Sequence, residues 1–194
     1  MASNTREKIL RQAIACIAQN PNASLEDIAS AAGVGRATLY RHFKSRNDLN
    51  IALKMAAGQR LRDNIDPILN SDLPAVEKLS LIVEKCIPLG ASLNVTSYFN
   101  LPCKEDDPRV MESYEKHMNQ VRQIGSELKD QGVVAPEIPL AWVTASLDSL
   151  VFAAWEKIQD GDIAPNAAPG LVLGTFLSGI GTPKAVQWLN QHGE

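Results

Sequence analysis

Apolar positions recur with a helical period along most of the chain. Ile9, Leu10, Ala13, Ile14 and Ile17 form one stripe, which predicts a first helix ending before the breaker cluster Asn20-Pro21-Asn22. Asn4 is placed to cap that helix, with Glu7 three residues on. Ser24 and Asp27 have capping-box spacing and open a second helix with Leu25, Ile28, Ala29 and Ala32 facing inward; Gly33 is placed to stop it in a left-handed cap. A third, short helix over about 36–42 turns Leu39 and Phe43 to the core. The pattern continues as a fourth helix over 46–65, ending near Asp66-Pro67. A fifth follows Ser71-Asp72-Leu73-Pro74, carries Val76, Leu79, Ile82, Val83 and Cys86, and is broken by Pro88-Leu89-Gly90, which would open the helix packing there. Asp107-Pro108 starts another, bearing Val110, Tyr114, His117, Met118, Val121, Ile124 and Leu128 up to Gly132. Two largely apolar helices close the series, Leu140 to Lys157 and Ala167 to Ile180. No strand periodicity or repeat is visible. The expected fold is all-α: a small N-terminal three-helix head on a larger helical body.

Charge sharpens that division. The net charge is −3, with 45% hydrophobic residues. Residues 1–49 hold seven Lys/Arg against four acids, a surplus of three positive charges; the remainder holds twelve against eighteen, a deficit of six. A basic head on an acidic body points to a polyanion met by the head alone. Cys16, Cys86 and Cys103 are odd in number and lack a CxxC pair, which argues for reduced thiols. The N-terminus MASNTREKIL has no apolar signal core, and no run reaches the ~18–20 apolar residues that span a bilayer. A cytoplasmic protein is expected. The acidic run Lys104-Glu105-Asp106-Asp107 reads as a solvated loop and helix cap rather than a metal site. No catalytic spacing, metal-ligand cluster or phosphate loop is present, so no enzyme, cofactor or metal is implied.

Two short helices joined by the tight turn Ala32-Gly33-Val34-Gly35 and braced by a first helix describe a helix-turn-helix unit. The second helix of such a pair lies in the major groove. Arg36, Ala37, Thr38 and Arg41 then sit where base edges would be, and Tyr40, His42, Lys44 and Arg46 flank them at the height of phosphates.

The stretch LEDIASAAGVGRATLYRHFKSRNDL, residues 25–49, resembles the signature of the TetR family of one-component transcriptional regulators. The likeness runs through Ile28-Ala29, Gly33-Val34, Thr38-Leu39-Tyr40, His42-Phe43, Arg46 and Leu49, and covers roughly residues 5–55. Gly35 stands where the family commonly has a Ser or Thr cap, at a cost of a few tenths of a kcal/mol and of one possible phosphate contact. Arg46 replaces the more usual lysine, and Ser24 joins the phosphate set. The resemblance implies a DNA-binding domain over 1–48 and an effector-binding and dimerisation domain over 49–194. It further implies a homodimeric repressor, released from a palindromic operator by a small molecule. The ridges Ala141, Ala145, Ser149, Ala153 and Gly170, Gly174, Ser178 would then build the dimer interface; the alternative is packing inside one subunit. Candidate effector walls are Tyr98, Phe99, Met111, Tyr114, Met118 and Trp142, with Asn94, His117 and Ser146 as polar handles, although Met and aromatic residues at helical spacing also serve as plain core and His117 reads as a satisfied core histidine. Two other classes stand beside this reading. An architectural DNA-binding protein would need a basic body as well as a basic head. An enzyme on a borrowed fold would need a nucleophile that the sequence does not nominate.

Overall fold

The computed structural model describes residues 2–20, 22–90 and 107–192. These form nine α-helices, all-α as expected: α1 (Ala2–Gln19), α2 (Leu25–Ala31), α3 (Arg36–His42), α4 (Arg46–Leu69), α5 (Ala75–Cys86), α6 (Pro108–Asp130), α7 (Leu140–Asp160), α8 (Ala168–Ile180) and α9 (Pro183–His192), with a 3-10 turn at Ile87–Leu89. An isolated antiparallel bridge pairs Val134 with Gly181. No described helix is long and apolar enough to cross a membrane.

Two compact units share these helices. One is the described part of residues 1–59 and 91–113; the other is that of 60–90 and 114–194, so α4 and α6 each contribute to both. In the first, the α1 stripe Ile9, Leu10, Ala13 and Ile17 meets Ile28, Ala29 and Ala32 of the α2 segment, Leu39 and Phe43 around α3, and Leu49, Ala52 and Leu53 of α4. Arg6 lies over the Phe43 ring, 5.3 Å from its centroid, adding a cation–π contact at the rim of this core. Helix α1 begins at Ala2, so Asn4 lies inside it rather than at its cap.

The second unit is built on Leu79 and Val83 of α5, Leu128 of α6, Val143 of α7 and Phe176 and Leu177 of α8, all 2% exposed or less. Three features differ from the sequence expectation. Helix α4 does not stop at Asp66-Pro67 but runs through Pro67 to Leu69. Proline inside a helix costs about 3 kcal/mol, whereas burying Ile65 and Leu69, each 4% exposed, returns about 1.5–3 kcal/mol apiece. The Pro88 break leaves no gap: Trp155 closes over Gly90, where an added Cβ would lie 2.1 Å from the Trp155 Cδ1, and its indole N–H donates to the Cys86 carbonyl at 3.2 Å. Helix α9 follows Thr182-Pro183, a start signal with proline at the first helical position, and lies beyond the helices expected from the sequence.

A buried lysine ties three helices of this unit together. Lys78, 6% exposed, donates through Nζ to the Leu69 carbonyl and to Glu127 Oε2, both at 2.9 Å. Nearby Gln131 Oε1 accepts from the Ala75 N–H at 2.8 Å, capping α5 where Pro74 offers no side-chain cap. Gln120 Nε2 donates to Asp66 Oδ1 at 2.6 Å, fastening the last turns of α4 to α6.

Candidate nucleic-acid interface

The reading surface is built from its caps inward. Ser24 is extended (φ −73°, ψ 168°), its Oγ accepts from the Asp27 N–H at 3.1 Å, and the Asp27 carboxylate accepts from the Ser24 N–H at 2.8 Å. The Ser24 hydroxyl also donates to Asp27 at 2.8 Å. These bonds, the backbone one first, hold the Asp27 carboxyl below its usual range against a smaller opposing effect of burial. Ser24 is thus engaged within its own cap, which leaves its oxygen little freedom as the phosphate donor expected of it. The turn follows from Gly33, whose φ of +61° only glycine adopts without strain; its N–H donates to Ser30 and that of Val34 to the Ala29 carbonyl. Gly35 caps α3 by backbone alone, accepting from Thr38 and Leu39. A second cap starts α4: the Asp48 N–H donates to Ser45 Oγ at 3.0 Å, and the Asp48 carboxylate accepts from the N–H of Lys44, one residue before the cap, at 3.1 Å. The S-x-x-D spacing of Ser45 and Asp48 was legible but was absorbed into the basic stretch around it.

With Leu39 and Phe43 buried, the rest of α3 faces outward. Arg36, Ala37, Tyr40, Arg41 and Lys44 are exposed; Thr38 and His42 are half-buried. Arg41 Nη2 donates to Thr38 Oγ1 at 3.1 Å, linking two of the side chains assigned to bases. Arg36 pairs with Glu26 of α2, an acid not singled out in the sequence. Arg46 departs furthest from its expected place. Its Nη1 donates to the Ala23 carbonyl, and partial burial lowers its pKa by desolvation. It braces the start of α4 against the residue before the Ser24 cap, a contact between segments 23 residues apart that no periodicity announces. The remaining surface offers cations, a phenol, a hydroxyl and an imidazole on one side of a short helix, the chemistry that phosphates and base edges require.

Among the body candidates, Met111, Tyr114 and Trp142 are exposed (37, 40 and 60%), and Met118, His117 and Ser146 are half-buried. Asn94, Tyr98 and Phe99 lie outside the described residues, as do Cys103 and Lys104 to Asp106; Asp107 holds Arg109 and caps α6. His117 Nε2 is 3.7 Å from Asp148 Oδ1, while its Nδ1 and Gln120 Oε1 are buried with no hydrogen-bond partner among the described residues. The ridge residues Ala141, Ala145, Ser149 and Ala153 are all exposed, as are Gly170 and Ser178, with Gly174 half-buried. A Cβ added at Gly170 or Gly174 would meet nothing within 4 Å, and Leu171, 51% exposed, stands between them.

Residues 9–53 match the family model described as bacterial regulatory proteins, tetR family. The chain is 29% identical over 157 residues to the HTH-type transcriptional repressor LfrR of Mycolicibacterium smegmatis, covering 81% of this chain and 80% of that one. The crystal structure of the TetR-like regulator LfrR from Mycobacterium smegmatis in complex with proflavine superposes with a TM-score of 0.72 at 26% identity, over 93% of this chain and 98% of that one. The regulator FadR of Bacillus subtilis, in complex with stearoyl-CoA, shares the fold with a TM-score of 0.72 at 22% identity, over 90% and 98% of the two chains. These relatives are transcriptional regulators rather than enzymes. With the head matched by motif, turn and caps, and most of the chain similar to relatives of the same build, these findings support a TetR-family transcriptional regulator.

Proposed function

We propose that the protein is a cytoplasmic repressor that binds a palindromic operator as a homodimer and leaves it when a small molecule occupies the helical body. Residues 1–48 serve as the DNA-binding domain and 49–194 as the effector-binding and dimerisation domain. The observation that carries the reading is the outward face of α3, where Arg36, Arg41, Tyr40 and Lys44 stand clear of the core. The acidic body, with its deficit of six charges, opposes the architectural alternative, which would need basic surface beyond the head.

Dimerisation through α7 and α8 is supported by the exposed ridges. Small residues allow close approach of backbones, and Trp142 and Leu171 beside them supply apolar area that a lone chain leaves in water. Trp142 is on this reading an interface residue rather than an effector wall. For the effector, α6 and α7 offer two acceptors, the buried Gln120 Oε1 and the Asp148 carboxylate beside His117, whose Nδ1 accepts or donates according to its tautomer; the buried Trp188 N–H of α9 is a donor elsewhere in the body. Such a set suits an apolar ligand that carries donors or positive charge, and the relative LfrR is known in complex with proflavine. The different ligand in the FadR structure shows that the fold does not dictate effector chemistry.

The test is selection of binding sites from a random duplex library, followed by titration of the selected operator with proflavine as the first effector probe. A two-fold symmetric selected site that proflavine releases is the expected result. Selection of no preferred sequence would overturn the regulator reading, and a site indifferent to proflavine would overturn the effector class.

A further inference from the structure

We infer that Glu26 is a specificity-determining residue of the reading helix, holding Arg36 against capture by DNA phosphates. The inference rests on the reading above that Arg36 meets a base edge. Glu26 is the second residue of α2 and Arg36 the first of α3; the Gly33 turn brings the carboxylate Oε1 onto the guanidinium Nη2. Both side chains are largely exposed, 42% and 68%, so the pair contributes little to stability. Two of the other three acids of the head are committed to backbone N–H groups: Asp27 in the α2 cap and Asp48 at the start of α4. Glu26 is instead bound to a base-reading cation.

A carboxylate at this end of α3 opposes DNA binding of every kind through its charge. What it adds is geometric. Arginine is long, and in a non-cognate complex a free guanidinium would swing to the nearest phosphate, a contact available at every sequence. Nη2 carries two hydrogens, one on each edge of the planar fork; a carboxylate oxygen on Nη2 takes one of them, and the other edge stays open to the O6 and N7 of a guanine while Glu26 remains in place. Reaching a phosphate requires breaking the pair; reading the base does not. Glu26 therefore weakens non-cognate binding more than cognate binding, a selection against wrong sites as well as for the right one.

The experiment uses the full chain and four variants of one cycle: wild type, Glu26→Gln, Arg36→Ala and the double substitution. Each is titrated by fluorescence anisotropy on the selected operator duplex and on a scrambled duplex of equal length, over a series of salt concentrations. Glu26→Gln should bind the scrambled duplex more tightly, with a salt slope steeper by about 0.9 for each head engaged. Operator affinity should change far less, so the ratio of the two falls roughly 10-fold. In the Arg36→Ala background the same change should leave slope and ratio where they were. An equal gain on both duplexes, or the same gain without Arg36, would reduce Glu26 to a bulk charge and overturn the proposal. If Arg36→Ala alone leaves the operator preference intact, the base-reading assignment fails and the proposal with it. Circular dichroism and melting temperature should be unchanged by Glu26→Gln, since the pair is exposed; a large loss of either would mark a structural role and also overturn it.

Discussion

At the scale of single residues, the cations of the head fall into two groups: Arg36 and Arg46 are held by protein acceptors, whereas Lys44 is exposed. The Ser24–Asp27 box, the left-handed Gly33 and the buried Leu39 and Phe43 follow from spacing within one or two helical turns. The engagements of Arg36 with Glu26 and of Arg46 with Ala23 join different elements, and sequence spacing carries no trace of them. Two predictions separate the roles of these cations. Arg36→Ala should lose preference at one position per half-site, about 1–3 kcal/mol of discrimination, while non-specific affinity persists; a repeat of the site selection with the mutant checks this. Lys44 is exposed through its side chain and should act on phosphates, so Lys44→Ala should flatten the salt slope by about 0.9 per head. Arg46 is different because its guanidinium already serves Ala23. Arg46→Lys keeps the charge and loses that hydrogen bond, so the salt slope should survive while stability falls by about 0.5–1.5 kcal/mol. Salt titrations and thermal melts of the same preparation read both effects.

At the scale of elements, the helical period located eight of the nine helices, and the differences lie at their ends, where packing outweighs propensity. Pro67 was read as a stop because its missing N–H is a local fact; the burial of Ile65 and Leu69 that carries α4 past it is not. Helix α9 was missed for the converse reason, being short and polar with Ala185 as its buried position. The Lys78–Glu127 pair shows what else the elements hide, a charge placed on the stripe of α5 that periodicity alone would assign to apolar side chains. Burial pushes the Glu127 carboxyl up, but hydrogen bonds from Lys78 and Gln123 and the Lys78 charge outweigh it, leaving the pKa below its ordinary 4.5. A carboxyl depressed by folding stabilises the folded state above its unfolded pKa and loses that contribution as pH falls through the folded value. Lys78→Met should therefore cost about 1–3 kcal/mol near pH 7, less than for a fully buried pair because Glu127 is a quarter exposed. The deficit against wild type should shrink as pH falls below about 4.5, as urea denaturation at several pH values would show. A deficit independent of pH would mean that the Leu69 carbonyl bond, rather than the ion pair, is what the lysine supplies.

At the scale of the molecule, the sequence located the ridges of α7 and α8 from small residues at every fourth position, and each chain presents them to solvent. Ala145→Arg combined with Gly174→Arg places two charges on that face without touching the core, since Ala145 is exposed and the space around Gly174 is open. The proposed dimer should then become a folded monomer by light scattering, with unchanged helical circular dichroism. Operator affinity should collapse, because two-fold readers hold their helices one DNA turn apart, ~34–36 Å, only as a pair. Release by the effector asks more of the same arrangement. Helix α4 begins at Arg46 on the Ala23 carbonyl and ends with Asp66 held by Gln120, so it is one continuous element from the head to a polar anchor in the body. An effector that engages the buried Gln120 Oε1 acts on the side chain that fixes that anchor. It can shift the heads only by its preference for the arrangement that does not bind DNA. A preference of ~3 kcal/mol corresponds to operator affinity lowered ~150-fold, and reciprocity requires operator to weaken effector binding by the same factor. Gln120→Leu removes both the anchor and the acceptor; operator binding should persist while the coupling factor falls toward one. Measuring proflavine affinity by fluorescence with and without saturating operator, for wild type and Gln120→Leu, decides the matter: equal affinities in the wild type would show that the body site does not govern the heads.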